Sequence, residues 1–267
     1  MKFGIVSYML KRKTIEIIER TEKIIRELGG EVIYEKNLAS RLGLDGVRLE
    51  DMNVDFVITV GGDGTVLYTL QRCRCRVIPI NVGELGFLTE VNPDEIEMRF
   101  KELFEGRYFI DRRLKLKVIH NGKRLYDCLN ECVVHTDEIA KMRNFRIYLN
   151  NDLVDDVNAD GVIVATPTGS TSYALSTGGP ILHPSLNALV ITHIAPFRLG
   201  YRSHVVPSDS EIRIEILKNK TCLLVMDGQE SKKVRSGDEI VFSQSENYAE
   251  FVRFSYDFYK RIRERLY

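Results

Sequence analysis

The sequence predicts an α/β N-terminal domain with a mainly parallel sheet, followed by an all-β, sandwich-like C-terminal domain. In the first third of the chain, short apolar runs alternate with segments whose apolar residues have helical spacing. Asn121 and Gly122 then lie between two runs of strand-forming residues, which is typical of a hairpin turn. Beyond this turn, strand-like runs follow one another and helical patterns are scarce.

Periodicity and end signals place the elements of the first domain. Residues 14–28 have apolar side chains at helical spacing, and Gly29 and Gly30 end that helix. Residues 93–106 begin with a proline and acidic residues and end at a glycine, which predicts another helix. Apolar runs predict strands at residues 2–7, 31–34, 55–60 and 77–80. The segment before the third strand is expected to be a polar loop, and the βαβα order makes the domain Rossmann-like.

The second domain is predicted to be rich in strands. Its strand-like runs are FRIYL, DLVDDV, GVIVAT, ALVITHIA, EIRIEIL, CLLVM, EIVFS and EFVRF. The final segment, SYDFYKRIRERLY, predicts a helix that returns to the first domain, with its basic residues on a solvated helix end. We therefore expect one domain formed by residues 1–108 with 252–267, and another formed by residues 109–251. The cleft between two domains is a natural place for a ligand.

Composition argues against several classes of partner. The chain has 267 residues, of which 38 are basic and 38 are acidic, so no overall field attracts nucleic acid or an anionic membrane. No apolar stretch approaches the roughly 20 residues that span a bilayer, and no secretory signal is visible, so we expect a cytoplasmic location. The five cysteines are an odd number without zinc-site spacing, so we expect reduced thiols and assign no metal-ligating residue.

A glycine-rich turn follows the third predicted strand. GGDGT, at residues 61–65, leads into a short helix from Thr65, and its glycines let the backbone approach a ligand closely. The amides there and the positive end of the helix form a site for phosphate. Asp63 would repel phosphate unless it accepts a hydroxyl proton or a magnesium ion lies between them; otherwise it caps the helix. No GxxxxGK[ST] stretch is present, so this turn is not a standard P-loop.

A second unusual segment spans residues 158–184. Its buried strand, GVIVAT, runs into a cluster of hydroxyl side chains followed by a tyrosine, namely Thr168, Ser170, Thr171, Ser172 and Tyr173. Small hydroxyls and amides can bind ribose or phosphate oxygens, and a tyrosine can stack on a base. A Ser/Thr-rich loop with a helix cap is the alternative. Two phosphate-compatible loops in one chain favour the binding role.

Asn130 and Glu131 form a weaker signal within a strand-like run. Successive side chains of a strand point to opposite faces, so one of the two can face a cleft. A buried asparagine can read an adenine edge because it offers both a donor and an acceptor. By itself such a pair is more often an ordinary polar pair in a strand.

Taken in order along the chain, five segments resemble the NAD kinases. They are GGDGT, NVGELGFLTE (residues 81–90), LNE (129–131), DGVIVATPTGSTSYALSTGGPILHP and DGQ (227–229). GGDGT alone is shared with lipid kinases of the diacylglycerol and sphingosine type, and a near relative occurs in phosphofructokinases. The TPTGST segment together with LGFLTE is far more specific, and the likeness runs along essentially the whole chain.

The resemblance implies a reaction and an assembly. The reaction is phosphorylation of the adenosine ribose 2′-hydroxyl of NAD to give NADP, with ATP or polyphosphate as donor and Mg²⁺ or another divalent cation as cofactor. The family fold is an α/β domain followed by a β-sandwich domain, usually assembled as dimers or tetramers. We therefore expect a homodimer or homotetramer.

Motif matching carries the family's functional residues to this chain. Asp63 would be the catalytic carboxylate, with Gly64 beside the dinucleotide, and Asn130 and Glu131 would contact the adenosine half. The phosphate donor is expected at Gly61, Gly62 and Thr65. The remaining positions expected to contact the dinucleotide are Lys141, Asn158, Asp160, Thr171, Ser172, Tyr173, Ser176, Ala195 and Gln229.

The chain departs from the family in one loop and at one strand position. The family often has a His and an Arg-Pro pair where this chain has APFRLGYRSHVVP, with Phe197 and with Ser203 after Arg202. Asn158 stands where many relatives carry a basic residue. These differences leave the contacts of that loop and the charge near the phosphates open. A lipid kinase and a non-catalytic dinucleotide sensor are the alternative functions.

Overall fold

The structure is a computed structural model that describes residues 1–83 and 86–266. Glu84 and Leu85 of the NVGELGFLTE motif, and Tyr267 of the predicted final helix, lie outside the described residues. The chain forms two compact units, Met1–Arg112 with Ala249–Tyr267, and Arg113–Tyr248.

The first unit begins with alternating strands and helices, as the sequence predicts. In chain order they are β1 (Lys2–Val6), α1 (Arg12–Glu27), β2 (Glu31–Tyr34), α2 (Lys36–Leu42), β3 (Phe56–Val60), α3 (Asp63–Arg72), β4 (Arg76–Ile80) and α4 (Ile96–Phe104). None of the described helices is both long and apolar enough to cross a membrane.

Strands dominate the second unit. They are β5 (Phe109–His120), β6 (Lys123–Arg124), β7 (Glu131–Thr136), β8 (Arg143–Leu149), β9 (Asp152–Ala159), β10 (Gly161–Ala165), β11 (Ala188–Ile194), β12 (His204–Pro207), β13 (Ile212–Ile216), β14 (Thr221–Met226), β15 (Glu230–Arg235) and β16 (Ile240–Arg253). A short helix, α5 (Tyr173–Ser176), follows β10, and α6 (Phe258–Leu266) follows β16. The chain crosses between the units along β5 and β16.

The first unit has a parallel sheet covered by helices. The strand order is β2-β1-β3-β4, and the end of β16 pairs in parallel with β4. Ile18 of α1 and Phe100 of α4 pack on Ile5 and Ile58 of the sheet in one buried cluster. The strand order reverses between β1 and β3, and ligands of such sheets bind beyond the carboxyl ends of the strands at that point. GGDGT directly follows β3, so the fold places this motif at the reversal.

The second unit is a sandwich of antiparallel strands. Six strands form a sheet in the order β12-β11-β10-β7-β14-β15, and β16, β13, β8 and β9 pair antiparallel in the other layer. Val134 and Val162 of the first layer share one buried cluster with Phe145 and Ile214 of the second. This arrangement confirms the predicted fold class. The predicted hairpin is also present, because Asn121 and its following glycine have φ of 49° and 72° between β5 and β6.

Several elements differ from the sequence predictions. EIVFS and EFVRF belong to one long strand, β16, and residues 36–42 form α2 where a polar loop was expected. The Glu35 carboxylate caps α2 by accepting from the amides of Asn37 and Leu38. The helix buries only Leu38 and Ala39, so its apolar pattern is too sparse to identify it. β15 is an edge strand with the sequence ESKKVR, and charged residues on an edge strand weaken its apolar signal.

The cysteines fall into two groups. Cys73 and Cys75 lie close together, with their Cα atoms 5.5 Å apart, while Cys128, Cys132 and Cys222 are free and buried. The odd count and the zinc-site spacing do not address a bond between two cysteines this close, so the reduced state of this pair stays a prediction.

Candidate functional site

The GGDGT turn of the first unit has the tight backbone that its glycines predict. The Gly61 amide donates to the carbonyl of Ile80 at 3.0 Å, and the Thr65 amide donates to the carbonyl of Gly62 at 3.0 Å. A Cβ on Gly61 would lie 2.3 Å from the Thr65 hydroxyl oxygen, so this position requires glycine. The predicted donor-binding amides of Gly61 and Thr65 are thus already bonded within the protein.

The amides that remain for a ligand lie at the start of α3. Asp63 and Gly64 belong to the first turn of this helix, where amides have no acceptor within the helix. Gly62 is exposed, and no described atom lies within 4 Å of where its Cβ would be. The start of α3 therefore offers donors, open space and the positive end of the helix dipole to an anionic group.

The neighbouring segment of the first unit holds the Asp63 carboxylate. Its Oδ2 accepts from the Phe87 amide at 2.9 Å, and its Oδ1 accepts from the Leu88 amide at 3.1 Å. A Cβ on Gly86 would lie 1.8 Å from Oδ1, so only glycine allows this approach. The N-cap of α3 is Gly62, and Asp63 lies in the first turn of the helix. The carboxylate is half-buried, and a carboxylate oxygen that accepts one bond can accept another from a hydroxyl.

In the second unit, a buried carboxylate organises the backbone around Asn130. Asp227 lies in the turn after β14 and accepts from the amides of Leu129 at 2.8 Å, Asn130 at 2.8 Å and Glu131 at 3.1 Å. The three bonds fix the segment that leads into β7. Only Gln229 of the DGQ motif is predicted from the sequence to contact a ligand. The signal for Asp227 is an aspartate followed by glycine after a strand, which marks a tight turn and does not reveal its distant partners.

The TPTGST loop of the second unit packs directly on this segment. The Thr166 amide donates to the Asn130 carbonyl at 2.8 Å, and a Cβ on Gly169 would lie 2.1 Å from the same oxygen. The Ser172 hydroxyl donates to Glu131 Oε1 at 3.1 Å. Tyr173 follows at the start of α5 with 40% of its surface exposed, so its ring is accessible to a planar ligand.

Burial gives the carboxyl groups at this place unusual proton affinities. Burial raises the pKa of Glu131 to about 8, and the negative charge of Asp227 acts in the same direction. Burial raises the pKa of Asp227 to about 6 against the three amide bonds, which lower it. Glu131 Oε2 is buried and has no hydrogen-bond partner among the described residues. An unsatisfied buried oxygen marks a place where a ligand's hydroxyl or amine can add a bond.

The other residues that are predicted to contact the dinucleotide here lie at the periphery of the region around Asn130 and Glu131. Thr171 is half-buried and donates its hydroxyl to the Thr168 carbonyl at 3.3 Å. Ser176 ends α5 and is exposed. Gln229 is exposed in the turn that begins at Asp227. Its backbone N–H donates to the Met226 carbonyl at 2.9 Å. The structure thus brings the predicted residues from 171 to 176, and Gln229, to the end of the sheet that carries Asn130 and Glu131.

The remaining predicted residues lie at the opposite end of the same strands. β10 runs antiparallel to β7, so Ala165 pairs with Glu131 while Gly161 pairs with His135. Asp160 precedes β10 and donates its amide to the Ile194 carbonyl at 2.9 Å. Asp160 directly precedes Gly161, so it lies opposite the residue after His135. That residue is five positions beyond Glu131 along β7, which corresponds to roughly 17 Å. Asp160 is therefore far from Glu131 within one chain.

Three predicted residues accompany Asp160. Ala195 directly follows β11 and has φ of 45°. Asn158 is exposed on β9, and its carbonyl accepts from the Phe197 amide at 2.8 Å. Lys141 is exposed in the segment between β7 and β8, and its ammonium lies 3.2 Å from Glu138. This separation depends on the direction in which each strand runs, which no local sequence pattern indicates.

The chain is similar to known proteins along nearly its whole length. The family model described as the ATP-NAD kinase N-terminal domain matches residues 3–108, and that of the ATP-NAD kinase C-terminal domain matches residues 129–254. The NAD kinase of Thermoplasma acidophilum is 42% identical over 264 residues, which cover 98% of this chain and 97% of that protein. The NAD kinase of Methanothermobacter thermautotrophicus is 38% identical over 273 residues, covering 100% and 96%.

Two solved structures are similar in fold. The yeast NADH kinase complexed with NADH has a TM-score of 0.90 and 25% sequence identity, covering 100% of this chain and 87% of that chain. An NAD kinase from Archaeoglobus fulgidus in complex with ATP has a TM-score of 0.79 and 30% identity, covering 100% and 97%.

We predict that Glu131→Gln stabilises the fold increasingly as the pH rises. Unfolded Glu131 loses its proton near the ordinary value of 4.5, whereas the folded residue keeps it until about pH 8. Folding is therefore penalised progressively between these values, and the penalty is complete above pH 8. The variant removes this penalty. Its free energy of unfolding should therefore exceed that of the wild type by on the order of a few kcal/mol at pH 8, with no difference below pH 4.5.

Urea unfolding of both proteins between pH 4.5 and pH 8.5 measures this difference. Glu211→Gln, at an exposed position, is the control for the exchange itself. A Glu131→Gln difference that does not change with pH would contradict the raised pKa.

Proposed function

The chain belongs to the NAD kinase family, and we propose that it transfers the terminal phosphoryl group of ATP or polyphosphate to the adenosine ribose 2′-hydroxyl of NAD, with Asp63 as the catalytic carboxylate. The protein is thus a phosphotransferase. The observation that carries the role of Asp63 is its half-buried carboxylate, fixed by two backbone amides beside the open start of α3. The named relatives favour this function over a lipid kinase or a dinucleotide sensor.

The geometry around Asp63 suits phosphoryl transfer to an alcohol. Such reactions have a loose transition state, so alignment and charge stabilisation matter more than a strong base. Asp63 can accept the ribose hydroxyl proton while its direction is held by the Phe87 and Leu88 amides. The amides of Gly62 and Gly64, with the positive end of α3, are placed to bind donor phosphate oxygens.

A divalent cation is part of the proposal. No group of three or more His, Cys, Asp or Glu side chains that could hold a metal occurs among residues 1–83 and 86–266. Mg²⁺ commonly needs only one or two carboxylates, because substrate phosphates and water complete its coordination. Asp63 supplies one carboxylate beside the phosphate-binding amides, so the residues present fit such an ion. When bound, it would neutralise charge on the donor phosphates.

We assign the adenosine half of NAD to the end of the second unit that carries Asn130 and Glu131. Glu131 Oε2 lacks a described partner there, and the Asn130 backbone is fixed on both sides, by Asp227 and by Thr166. The exposed ring of Tyr173 offers a surface on which a base can stack. Ser172 adds a hydroxyl at the same place.

The separation of the predicted contacts supports a homo-oligomer. The middle of the sheet is buried on both faces, for example at Val134 and Val162 on one face and at Ile163 and Val190 on the other. A ligand bound at the Glu131 end of these strands therefore cannot extend across the face of the sheet to Asp160. If both groups contact the same dinucleotide, the Asp160 group must come from a second copy of the chain. Dimers and tetramers both allow this.

Asp63→Asn is expected to leave the NAD dissociation constant within about twofold of the wild type while lowering kcat by roughly 10²–10⁴. The amide replaces the proton acceptor but has nearly the same size. The assay combines purified protein, NAD, Mg²⁺ and either ATP or polyphosphate, and NADP is measured with a specific dehydrogenase. Asp209→Asn, at an exposed position, is the matched control. Unchanged turnover in Asp63→Asn would remove the residue from catalysis.

The same assay separates the alternative functions. Phosphorylation of diacylglycerol or sphingosine in place of NAD would identify a lipid kinase. Dinucleotide binding without any NADP formed from either donor would identify a sensor.

Tyr173→Ala is expected to raise the KM for NAD more than it lowers kcat, because stacking on a base is made equally in the ground state and the transition state. Tyr173→Phe keeps the ring and should keep the KM within about twofold, which separates stacking from hydroxyl contacts. Steady-state kinetics with varied NAD measure both. A larger effect on kcat than on KM would place Tyr173 outside the base-binding role.

Mixed oligomers test the contribution of a second copy. Asp63→Asn and Asp160→Ala chains, co-expressed with different tags, should each be weakly active alone. Mixed dimers should recover up to about half of the wild-type activity, since one of the two sites in each combines two intact groups. Asp63→Asn mixed with Asp63→Ala is the control without recovery. Failure to recover in oligomers shown by their tags to be mixed would contradict the shared site.

A further inference from the structure

Two arginines of the first unit are buried beside the segment that holds Asp63. Arg253 lies at the end of β16 and Arg261 lies in α6, and each has only 4% of its surface exposed. Arginine is almost never fully buried unless it is paired, because a charge without partners is costly to desolvate. The partners of these two guanidinium groups therefore show what the burial stabilises.

Both arginines bind one carboxylate. Glu90 Oε2 accepts from Arg253 Nη1 at 2.7 Å and from Arg261 Nη2 at 2.9 Å, and the Glu90 side chain is only 3% exposed. The Phe254 amide donates to the other carboxylate oxygen at 2.9 Å. The Arg261 guanidinium is also flanked by Asp257, the residue directly before α6, whose Oδ2 lies 2.8 Å from Nε. Glu90 thus ties β16 and α6 to the end of the NVGELGFLTE motif.

Other N–H groups of the two guanidiniums reach backbone carbonyls of residues 86–89. Arg261 Nη1 donates to the carbonyls of Gly86, at 3.3 Å, and of Thr89. Arg253 Nη1 donates to the carbonyl of Leu88 at 3.2 Å. The amides of the same segment donate to Asp63, so arginines contact its carbonyls and Asp63 contacts its amides.

One peptide group connects the two sets of contacts. The Gly86 carbonyl and the Phe87 amide belong to the same planar trans peptide, so they point in opposite directions and rotate together. Arg261 binds the carbonyl end of this peptide, and Asp63 Oδ2 binds its amide end at 2.9 Å. Any tilt of the peptide that follows loss of Arg261 therefore turns the amide that orients Asp63.

We propose that Arg261 is a positioning residue for phosphoryl transfer, acting through the Gly86–Phe87 peptide and Glu90 to hold the Asp63 carboxylate in its reactive direction. The inference rests on the proposed catalytic role of Asp63. Arginine suits the task because its rigid fork binds a carboxylate and carbonyls at once, whereas a lysine ammonium is a single point charge. The C-terminal helix thereby takes part in the reaction without contacting substrate.

Arg261→Lys is the test, because it keeps the positive charge beside Glu90 but cannot bind both Glu90 and the carbonyls in the same geometry. We expect kcat to fall about 10-fold to 100-fold, as a small displacement of a reacting group does. The KM for NAD should stay within about twofold, since the groups assigned to the adenosine half lie in the other unit. Arg263→Lys, an exposed position on the same helix, is the matched control and should match the wild type.

A double-mutant cycle separates positioning from a general loss of structure. If Arg261 acts through Asp63, Arg261→Lys should cost nothing further in an Asp63→Asn background. An equal fold-loss in both backgrounds would overturn the proposal, as would an unchanged kcat in Arg261→Lys. All assays are run below each variant's measured unfolding midpoint, so that only folded protein is compared.

Glu90→Gln provides an independent route to the same result. It keeps the size of the side chain but weakens its bonds to both arginines, and the same fall in kcat without a change in KM is expected. A change in KM alone would contradict the proposal. Failure of the proposed function has a different signature: full turnover in Asp63→Asn overturns the role of Asp63 directly, whatever Arg261→Lys shows.

Discussion

The contact on which the chemistry proposed for the first unit depends is the pair of hydrogen bonds from the Phe87 and Leu88 amides to Asp63. A carboxylate on a glycine-rich turn would otherwise rotate about its side-chain bonds. Backbone donors remove that freedom, because they belong to a segment whose carbonyls are themselves bound by Arg253 and Arg261. The glycine at position 86 is required by the same contact, since a Cβ would overlap the carboxylate.

Each unit contains a carboxylate that accepts hydrogen bonds from backbone amides, but the two carboxylates have different roles. Asp227 accepts hydrogen bonds from three backbone amides and is almost completely buried, so its carboxylate holds the segment around Asn130 in place. Asp63 accepts two and is half-buried, so it retains lone pairs that a substrate can reach. The number of amide partners and the depth of burial distinguish a carboxylate that organises the backbone from one that can react.

Sequence patterns predicted what is local, and distant contacts had to come from the structure. Strands such as β3 are recognisable because an unbroken apolar run suits burial on both faces, and GGDGT because its glycines are needed within five residues. The placing of Asp160 away from Glu131 depends on antiparallel register, which no local pattern encodes. Arg261 lies in a segment expected to be a solvated helix end, but the helix buries it against Glu90, which is 171 residues earlier in the chain.

The network around Glu90 is better explained by orientation than by stability. Buried ion pairs often contribute no more to stability than apolar residues of similar volume, because desolvation offsets their attraction. Apolar side chains in place of Arg253 and Arg261 would fill the same space but would leave the carbonyls of Gly86, Leu88 and Thr89 without directional partners. Only groups with several donors can fix those carbonyls and, through the shared peptide plane, the amide that faces Asp63. The free-energy cost of burying two guanidinium groups is thus consistent with a role in orienting the segment from Gly86 to Glu90. In the proposed reaction the direction of this segment, more than its packing, determines whether the Asp63 carboxylate is oriented to accept a proton.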